Sequence, residues 1–61
     1  MIEAFHKHCI EQGYEHEFDG VQITYSADHY SQSDVDECNE NLDATFPGLV
    51  ATLVGDYIVI K

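Results

Sequence analysis

The segment YEHEFDGVQITY, residues 14–25, decides the fold that the sequence predicts. Asp19 and Gly20 separate two runs in which polar and apolar side chains alternate, and this pattern is typical of a β-hairpin with a two-residue turn. The predicted pairs are Phe18 with Val21, His16 with Ile23, and Tyr14 with Tyr25. These six side chains would then share one face, so the register and the apolar pattern agree.

The C-terminal segment LVATLVGDYIVIK, residues 49–61, predicts a second hairpin. Gly55 stands at the first central position of a type II′ turn and Asp56 at the second. The predicted pairs are Val54 with Tyr57, Leu53 with Ile58, Thr52 with Val59, and Ala51 with Ile60. The more apolar face of this hairpin comprises Leu49, Ala51, Leu53, Ile58 and Ile60. The opposite face comprises Val50, Thr52, Val54, Tyr57, Val59 and Lys61.

A segment with helical periodicity precedes each hairpin. Residues 2–12 place Ile2, Phe5 and Cys9 on one side of a helix that Gly13 would end. Residues 31–48 predict a second helix with its stop signal at Pro47-Gly48. Its predicted apolar stripe comprises Val35, Cys38, Leu42, Thr45 and Phe46.

The start of the second helix has two candidate capping arrangements, Ser31 with Asp34 and Ser33 with Asp36. The whole chain therefore predicts one α+β domain, residues 1–61, in the order αββαββ. We expect a four-stranded antiparallel sheet built from the two hairpins, with both helices on one face. The order suggests a twofold repetition, although the halves share no evident residue-level identity.

The net charge is strongly negative, at −10, because twelve Asp and Glu residues oppose only Lys7 and Lys61. Self-repulsion of this kind destabilises a compact chain. Direct binding to nucleic acid or to an anionic membrane is excluded, because both require a basic surface. The charge instead favours a basic protein as partner, such as the nucleic-acid-binding face of another protein.

The N-terminal segment MIEAFHKHCIEQG lacks the basic region and apolar run of a signal peptide, and no apolar stretch approaches the ~18 residues of a membrane span. We therefore expect a cytoplasmic protein. Cys9 and Cys38 would then be reduced and partly buried, although a disulfide between them stays open.

The second helix carries a row of carboxylates without a basic partner. Asp36, Glu40 and Asp43 follow each other at spacings of four and three residues. Like charges at these spacings destabilise a helix by about 0.2–0.5 kcal/mol per pair. The predicted partner-binding surface comprises Asp34, Asp36, Glu37, Glu40 and Asp43, extended by Glu15, Glu17, Asp19 and Asp28.

Three interpretations of this acidic surface stay open: a docking surface that imitates nucleic acid or complements a basic protein, a device for solubility, and adaptation to high salt. In composition, a very small acidic α+β chain without a catalytic motif resembles the inhibitors that phages and mobile elements use against host nucleic-acid enzymes. The resemblance implies a cytoplasmic inhibitor that excludes DNA or RNA from a partner's basic groove.

The residue types of metal and catalytic sites are present in patterns that do not favour either chemistry. His6 and Cys9 share a side of the first helix, His8 points away, and neither CxxC nor HxxxH occurs. We expect no metal or cofactor, with His16 as a core histidine opposite Ile23.

One loop contains the residue types of a hydrolase site nearly adjacent in sequence: Ser26, Asp28, His29 and Tyr30. A chain of 61 residues offers little scaffold for a pocket that excludes water. We therefore expect a protein that is not an enzyme.

The second hairpin suggests a different function. Val50, Val54, Tyr57 and Val59 would be exposed on the outer face of a one-layer sheet, and contiguous apolar exposure usually marks an interface. The alternative hypothesis is a homodimeric structural or assembly protein that associates through this face, with its acidity serving solubility.

Overall fold

The computed structural model describes all 61 residues, Met1–Lys61. The elements are α1 (Ile2–Gln12), β1 (Glu17–Phe18), β2 (Ile23–Ser26), α2 (Gln32–Thr45), β3 (Ala51–Val54) and β4 (Tyr57–Ile60). The predicted αββαββ order is confirmed. The four strands form one antiparallel sheet in the order β1-β2-β4-β3.

Both helices lie on one face of the sheet, as predicted. The core contains ten buried residues from the helices, the strands and two connecting segments: Phe5, Cys9, Ile23, Ala27, Val35, Leu42, Leu49, Ala51, Ile58 and Ile60. Ile23 and Ile60 have no exposed surface, and they face each other across the central strand pair. The opposite face of the sheet has no covering layer.

The strand order relates the two halves of the chain symmetrically. The second strand of each hairpin is central, and β2 pairs with β4 over its full length, from Ile23↔Ile60 to Ser26↔Tyr57. The first strand of each hairpin, β1 or β3, lies at an edge. The repetition suggested by the element order is therefore also a repetition of topology.

The register predicted for the first hairpin is wrong. Phe18 pairs with Ile23, and not with Val21, so four residues from Asp19 to Gln22 form the connection. The Asp19 carboxylate accepts hydrogen bonds from the N–H groups of Val21 and Gln22, both at 2.8 Å. A type I′ turn needs positive φ at both central residues, and here only Gly20 has it. The side chain of Asp19 therefore replaces the tight turn by a wider one.

This change shortens β1 to two residues. The predicted pairs of His16 with Ile23 and Tyr14 with Tyr25 do not form, and Val21 and Tyr14 are 70% and 59% exposed. The strand register differs from the predicted one by two residues. Because side chains alternate with a period of two, Phe18, Ile23 and Tyr25 still point to the inward face of the sheet.

The second hairpin has the predicted register in all four pairs, from Ala51↔Ile60 to Val54↔Tyr57. Gly55 has a φ of 60°, and no residue other than glycine has positive φ, as a type II′ turn requires. Leu49, Ala51, Ile58 and Ile60 are buried and Leu53 is half-buried, so the predicted inward face is confirmed.

Both helices end as their sequences predict. Gly13 is left-handed after α1, and the N–H groups of Gly13 and Tyr14 reach the carbonyls of Ile10 and Cys9. Of the two capping alternatives, the structure has Ser31 with Asp34 in a capping box. Thr45 is exposed and therefore not part of the apolar stripe, and its hydroxyl donates to the Asn41 carbonyl at 2.8 Å. Neither helix has the length and apolar character needed to cross a membrane.

Candidate functional site

All twelve carboxylates are exposed, and no polar or charged side chain is buried. None of the negative charge is therefore used in the core. The outer face of the sheet carries little of it: by strand alternation this face presents Glu17 and Lys61 among Thr, Ser, Val and Tyr side chains. The molecule therefore has an acidic helical side and a nearly neutral sheet face.

The acidic residues of α2 divide into two flanks, because successive residues of a helix are rotated by about 100°. Asp36 and Asp43 lie on the same side as Asn39, whose side chain bonds Ala51 of edge strand β3. Asp34 and Glu37 lie on the other side and line a cleft that faces α1. The predicted row of Asp36, Glu40 and Asp43 therefore lies outside the cleft, although Glu40 is next to Glu37 on the helix surface.

Asp34 also caps α2. Its carboxylate accepts hydrogen bonds from the Ser31 N–H at 2.8 Å and from the Ser31 hydroxyl at 3.0 Å. Both bonds lower the pKa of Asp34 below its ordinary value, and the bond from the Ser31 N–H has the larger effect. Asp34 therefore stays charged at the mouth of the cleft.

The predicted extensions of the surface have different locations. Glu15 lines the cleft together with Asp34 and Glu37, and Glu17, on the outer face of the sheet, borders the cleft where it reaches β1. Asp28 lies apart, in the exposed loop between β2 and α2. The carboxylate of Asp19 is occupied by its own loop, and the N–H groups of Gln22 and then Val21 lower its pKa. The candidate acids therefore form a cleft group, an outer row on α2, and isolated positions.

A cleft of about 970 Å³ lies between α1 and α2. Phe5 and Cys9 contribute from α1, Leu42 and Phe46 from α2 and its end, and Ile58 from the sheet below. Tyr14 and Tyr30, both more than half exposed, also line it. The cleft thus combines an apolar floor with tyrosine and carboxylate side chains near solvent.

The floor contains the two thiols and a half-buried phenol. The Tyr25 hydroxyl lies 3.9 Å from Cys38 Sγ, and burial, followed by the nearby Cys38, raises the pKa of Tyr25. Burial likewise raises the pKa of Cys9, with a further contribution from Cys38. Both cysteines are free, so the disulfide left open by the sequence is not formed. A buried thiol with a raised pKa is a poor nucleophile at neutral pH.

The histidines form an arrangement that the sequence did not predict. His6 Nδ1 lies 2.8 Å from His16 Nε2, while His16 Nδ1 lies 2.8 Å from the Tyr14 carbonyl. His6 also stacks on Phe18, with ring centroids 4.2 Å apart. His16 is consequently half-buried and paired with α1, and the prediction of a core histidine opposite Ile23 is wrong.

His8 is half-buried rather than fully solvent-exposed, with its ring 6.1 Å from Phe5 and 5.8 Å from Phe46 between centroids. No three His, Cys, Asp or Glu side chains form a group that could hold a metal ion.

The loop with hydrolase residue types makes a simple turn. The Asp28 N–H donates to Ser26 Oγ at 3.4 Å, and the Tyr30 N–H donates to the Ala27 carbonyl at 3.0 Å. His29 is exposed, and its ring makes no hydrogen bond to Ser26 or Asp28. The Ser26 hydroxyl thus lacks the adjacent base that an activated nucleophile requires.

The predicted self-association residues lie on the uncovered face of the sheet. Val50, Val54 and Tyr57 are 55%, 55% and 56% exposed, and Val59 is half-buried between Thr24 and Thr52. Val54 and Tyr57 are direct cross-strand neighbours. These side chains form one patch.

Sequence reasoning missed the cleft and the pairing of His6 with His16. Both depend on where α1 lies relative to α2 and β1, which no local pattern specifies. A weak indication was available, since Tyr14, Tyr25 and Tyr30 flank the acidic segments. In comparisons with known proteins, no family model, no curated protein and no solved structure matches this chain.

Proposed function

We propose that this protein is a small acidic binding module that engages a basic, nucleic-acid-binding surface of a partner protein and thereby excludes DNA or RNA. One observation carries the proposal: all twelve carboxylates are exposed, and none is buried in the core. Complementary charge of this magnitude accelerates association with a basic protein and disfavours other partners.

The outer row of α2 supports imitation of nucleic acid. Asp36 and Asp43 are about 10 Å apart along the helix at 1.5 Å per residue, with Glu40 between them. Three negative charges over this distance are comparable with the charge of one DNA strand, about one per 3.4 Å. A groove that binds a phosphate backbone would therefore attract this face of the protein.

The test is capture of proteins on the immobilised chain from a lysate of the source cells, at low and high salt, with and without competitor DNA. We expect a target that salt weakens and DNA displaces. Reversal of Glu40 and Asp43 to lysine should then weaken its binding strongly while the circular dichroism spectrum is unchanged. The matched control is reversal of Glu3 and Glu11, two exposed acids of α1 outside the cleft. Equal affinity of the two double variants would contradict a role for the row.

A second candidate function, homodimeric assembly, is favoured by the patch formed by Val50, Val54 and Tyr57. Its neutrality would allow two copies of an otherwise strongly negative protein to approach. Tyr57→Glu should then convert a dimer into a monomer in sedimentation analysis. Tyr14→Glu, at an equally exposed tyrosine on the other side, should leave the dimer intact. A wild-type protein that is monomeric at millimolar concentration would exclude this function.

A further inference from the structure

We infer that the cleft between α1 and α2 binds a basic amphipathic segment of the partner protein, with apolar side chains on its floor and Arg or Lys side chains against its tyrosines and carboxylates. The inference rests on the proposed function and deepens it, because it locates the contact and specifies its chemistry. It adds a contact in the cleft, with apolar and aromatic side chains, to the electrostatic contact of the outer row of α2.

The dimensions of the cleft suit a peptide segment. It is lined by 20 of the 61 residues and follows α2 from Asp34 to Thr45. At 1.5 Å per residue this is about 17 Å, which is the length of about three helical turns. The whole molecule measures only 25 × 22 × 20 Å, so the cleft crosses most of one side. Its volume, about 970 Å³, is at the upper end of the range for binding sites of small molecules.

The lining specifies a ligand that is both apolar and cationic. Half of the lining residues, ten of 20, are hydrophobic, and no Lys or Arg is among them. Tyr14, Tyr25 and Tyr30 present aromatic rings, on which Arg and Lys cations are attracted by about 0.5–2 kcal/mol each. Glu15, Asp34 and Glu37 supply carboxylates. An anionic segment would be repelled, and a purely polar cation would leave the floor in contact with water.

The chain itself does not supply the missing cation. The chain has two lysines, Lys7 and Lys61, and no arginine, and neither lysine lines the cleft. The carboxylate of Asp34 is partly used by Ser31, whereas no side-chain hydrogen bond engages Glu15 or Glu37. Charge complementarity therefore favours an external basic segment.

The experiment uses two synthetic helical peptides of about 14 residues, or about 21 Å, titrated into the full chain. The first carries leucine along one face and arginine on the other. The second has the same arginines with serine in place of leucine. We expect the leucine peptide to bind about tenfold more tightly and to shift the NMR signals of the Tyr14, Tyr25 and Tyr30 rings.

Matched variants locate the contact. Glu37→Gln should reduce affinity for the leucine peptide about fivefold, and Glu40→Gln, the same change at a neighbouring residue outside the cleft lining, by less than about twofold. Tyr14→Ser should weaken binding, and Val54→Ser, at an exposed residue of the sheet face outside the cleft lining, should not. Far-ultraviolet circular dichroism verifies that each variant is folded.

The outcomes separate this inference from the proposed function. Equal binding of both peptides, with shifts confined to Asp36, Glu40 and Asp43, would overturn the cleft inference and leave the proposed function intact. Spermine is titrated in the same way. If it saturates the same tyrosine signals at a concentration equal to or lower than that of the leucine peptide, the ligand of the cleft is a small polyamine and the inference of a peptide segment is overturned. No binding of either peptide at low salt would contradict both.

Discussion

Asp34 combines a structural and an electrostatic role in one exposed carboxylate. It accepts two hydrogen bonds from Ser31 at the start of α2, and it also lines the cleft. The positive end of the helix dipole favours its charge in this first turn. The cap thus keeps a negative charge at the cleft while it stabilises the helix.

The lowered pKa of Asp34 predicts how acid affects stability. Because the folded-state pKa lies below the ordinary value of 3.8, the stabilisation is fully present above that value and is lost as the pH falls through the folded-state pKa. Asp34→Asn should therefore lose less thermal stability than the wild type between about pH 5 and about pH 2.

The matched control for this prediction is Asp36→Asn, the same charge change at a residue that accepts only from the Gln32 side-chain amide, at 3.0 Å. Relief of general repulsion on acidification affects both variants alike. Thermal unfolding followed by circular dichroism at several pH values checks the prediction. Parallel curves for Asp34→Asn and the wild type would contradict it.

At the scale of elements, Asn39 joins α2 to the edge of the sheet. Its side chain accepts from the Ala51 N–H at 2.7 Å and donates to the Ala51 carbonyl at 3.0 Å. Val50 exchanges both backbone bonds with Lys61, so the polar groups of Ala51 point away from β4. Asn39 therefore occupies the place of a further strand and protects the edge from pairing with another chain.

Asn39→Ala should lower the free energy of unfolding by about 2 kcal/mol, because two half-buried hydrogen bonds are lost and their backbone partners are left without replacement. The exposed edge should also aggregate faster on storage. Urea denaturation and light scattering measure the two effects. Asn41→Ala, at an exposed position of the same helix, should have little effect on either. Equal values for the two variants would show that the edge needs no protection.

The pairing of His6 with His16 is the polar contact between α1 and the segment before β1. With neutral rings, His16 Nδ1 donates to the Tyr14 carbonyl, so its Nε2 accepts from His6 Nδ1. Phe5 and Cys9 supply the apolar contact of the same helix. Few side chains of α1 face the sheet. The pairing of His6 with His16 therefore helps to fix the position of α1 and, with it, the width of the cleft.

His16→Ala should destabilise the protein by about 1 kcal/mol and accelerate amide hydrogen exchange in α1 more than in α2. NMR-detected exchange measures the effect helix by helix. The control is His29→Ala, since His29 is exposed in the loop before α2 and should be neutral. A uniform acceleration in both helices would argue against a local role for the pair.

At the scale of the whole molecule, charge and packing oppose each other. The chain carries a net charge of −10 within principal extents of 25 × 22 × 20 Å. The Debye length is about 30 Å at 0.01 M salt and about 3 Å at 1 M. In dilute buffer every carboxylate therefore repels every other across the whole molecule, and in concentrated salt only neighbours interact.

Salt should accordingly raise the unfolding temperature, by several degrees between about 0.01 M and about 0.5 M sodium chloride. The Glu3→Lys/Glu11→Lys protein should show a smaller rise, because its repulsion is weaker. Differential scanning calorimetry checks this. A flat or falling unfolding temperature would contradict it, and a chain that folds only above about 1 M salt would favour adaptation to high salt instead of a docking function.

The sequence by itself determined the element order, the ends of both helices and the complete register of the second hairpin. Each depends on residues close together in the chain: Gly13 after α1, Ser31 with Asp34 before α2, and Gly55-Asp56 between β3 and β4. Local dihedral preferences and short-range hydrogen bonds decide such features, so periodicity and turn chemistry suffice to predict them. The register of the first hairpin is the exception. The Asp19 carboxylate accepts backbone hydrogen bonds within the connection and favours a wider turn, so the strand pairing differs from the prediction by two residues.

Only the tertiary structure decided the central pairing of β2 with β4, the pairing of His6 with His16, and the cleft. Each joins segments that are distant in sequence, and their mutual position follows from how two helices of unequal length cover a four-stranded sheet. The same packing divided the acids of α2 into a cleft group with Glu37 and an outer row with Glu40. A helical pattern specifies which residues share a side, but only the neighbouring element decides what that side faces.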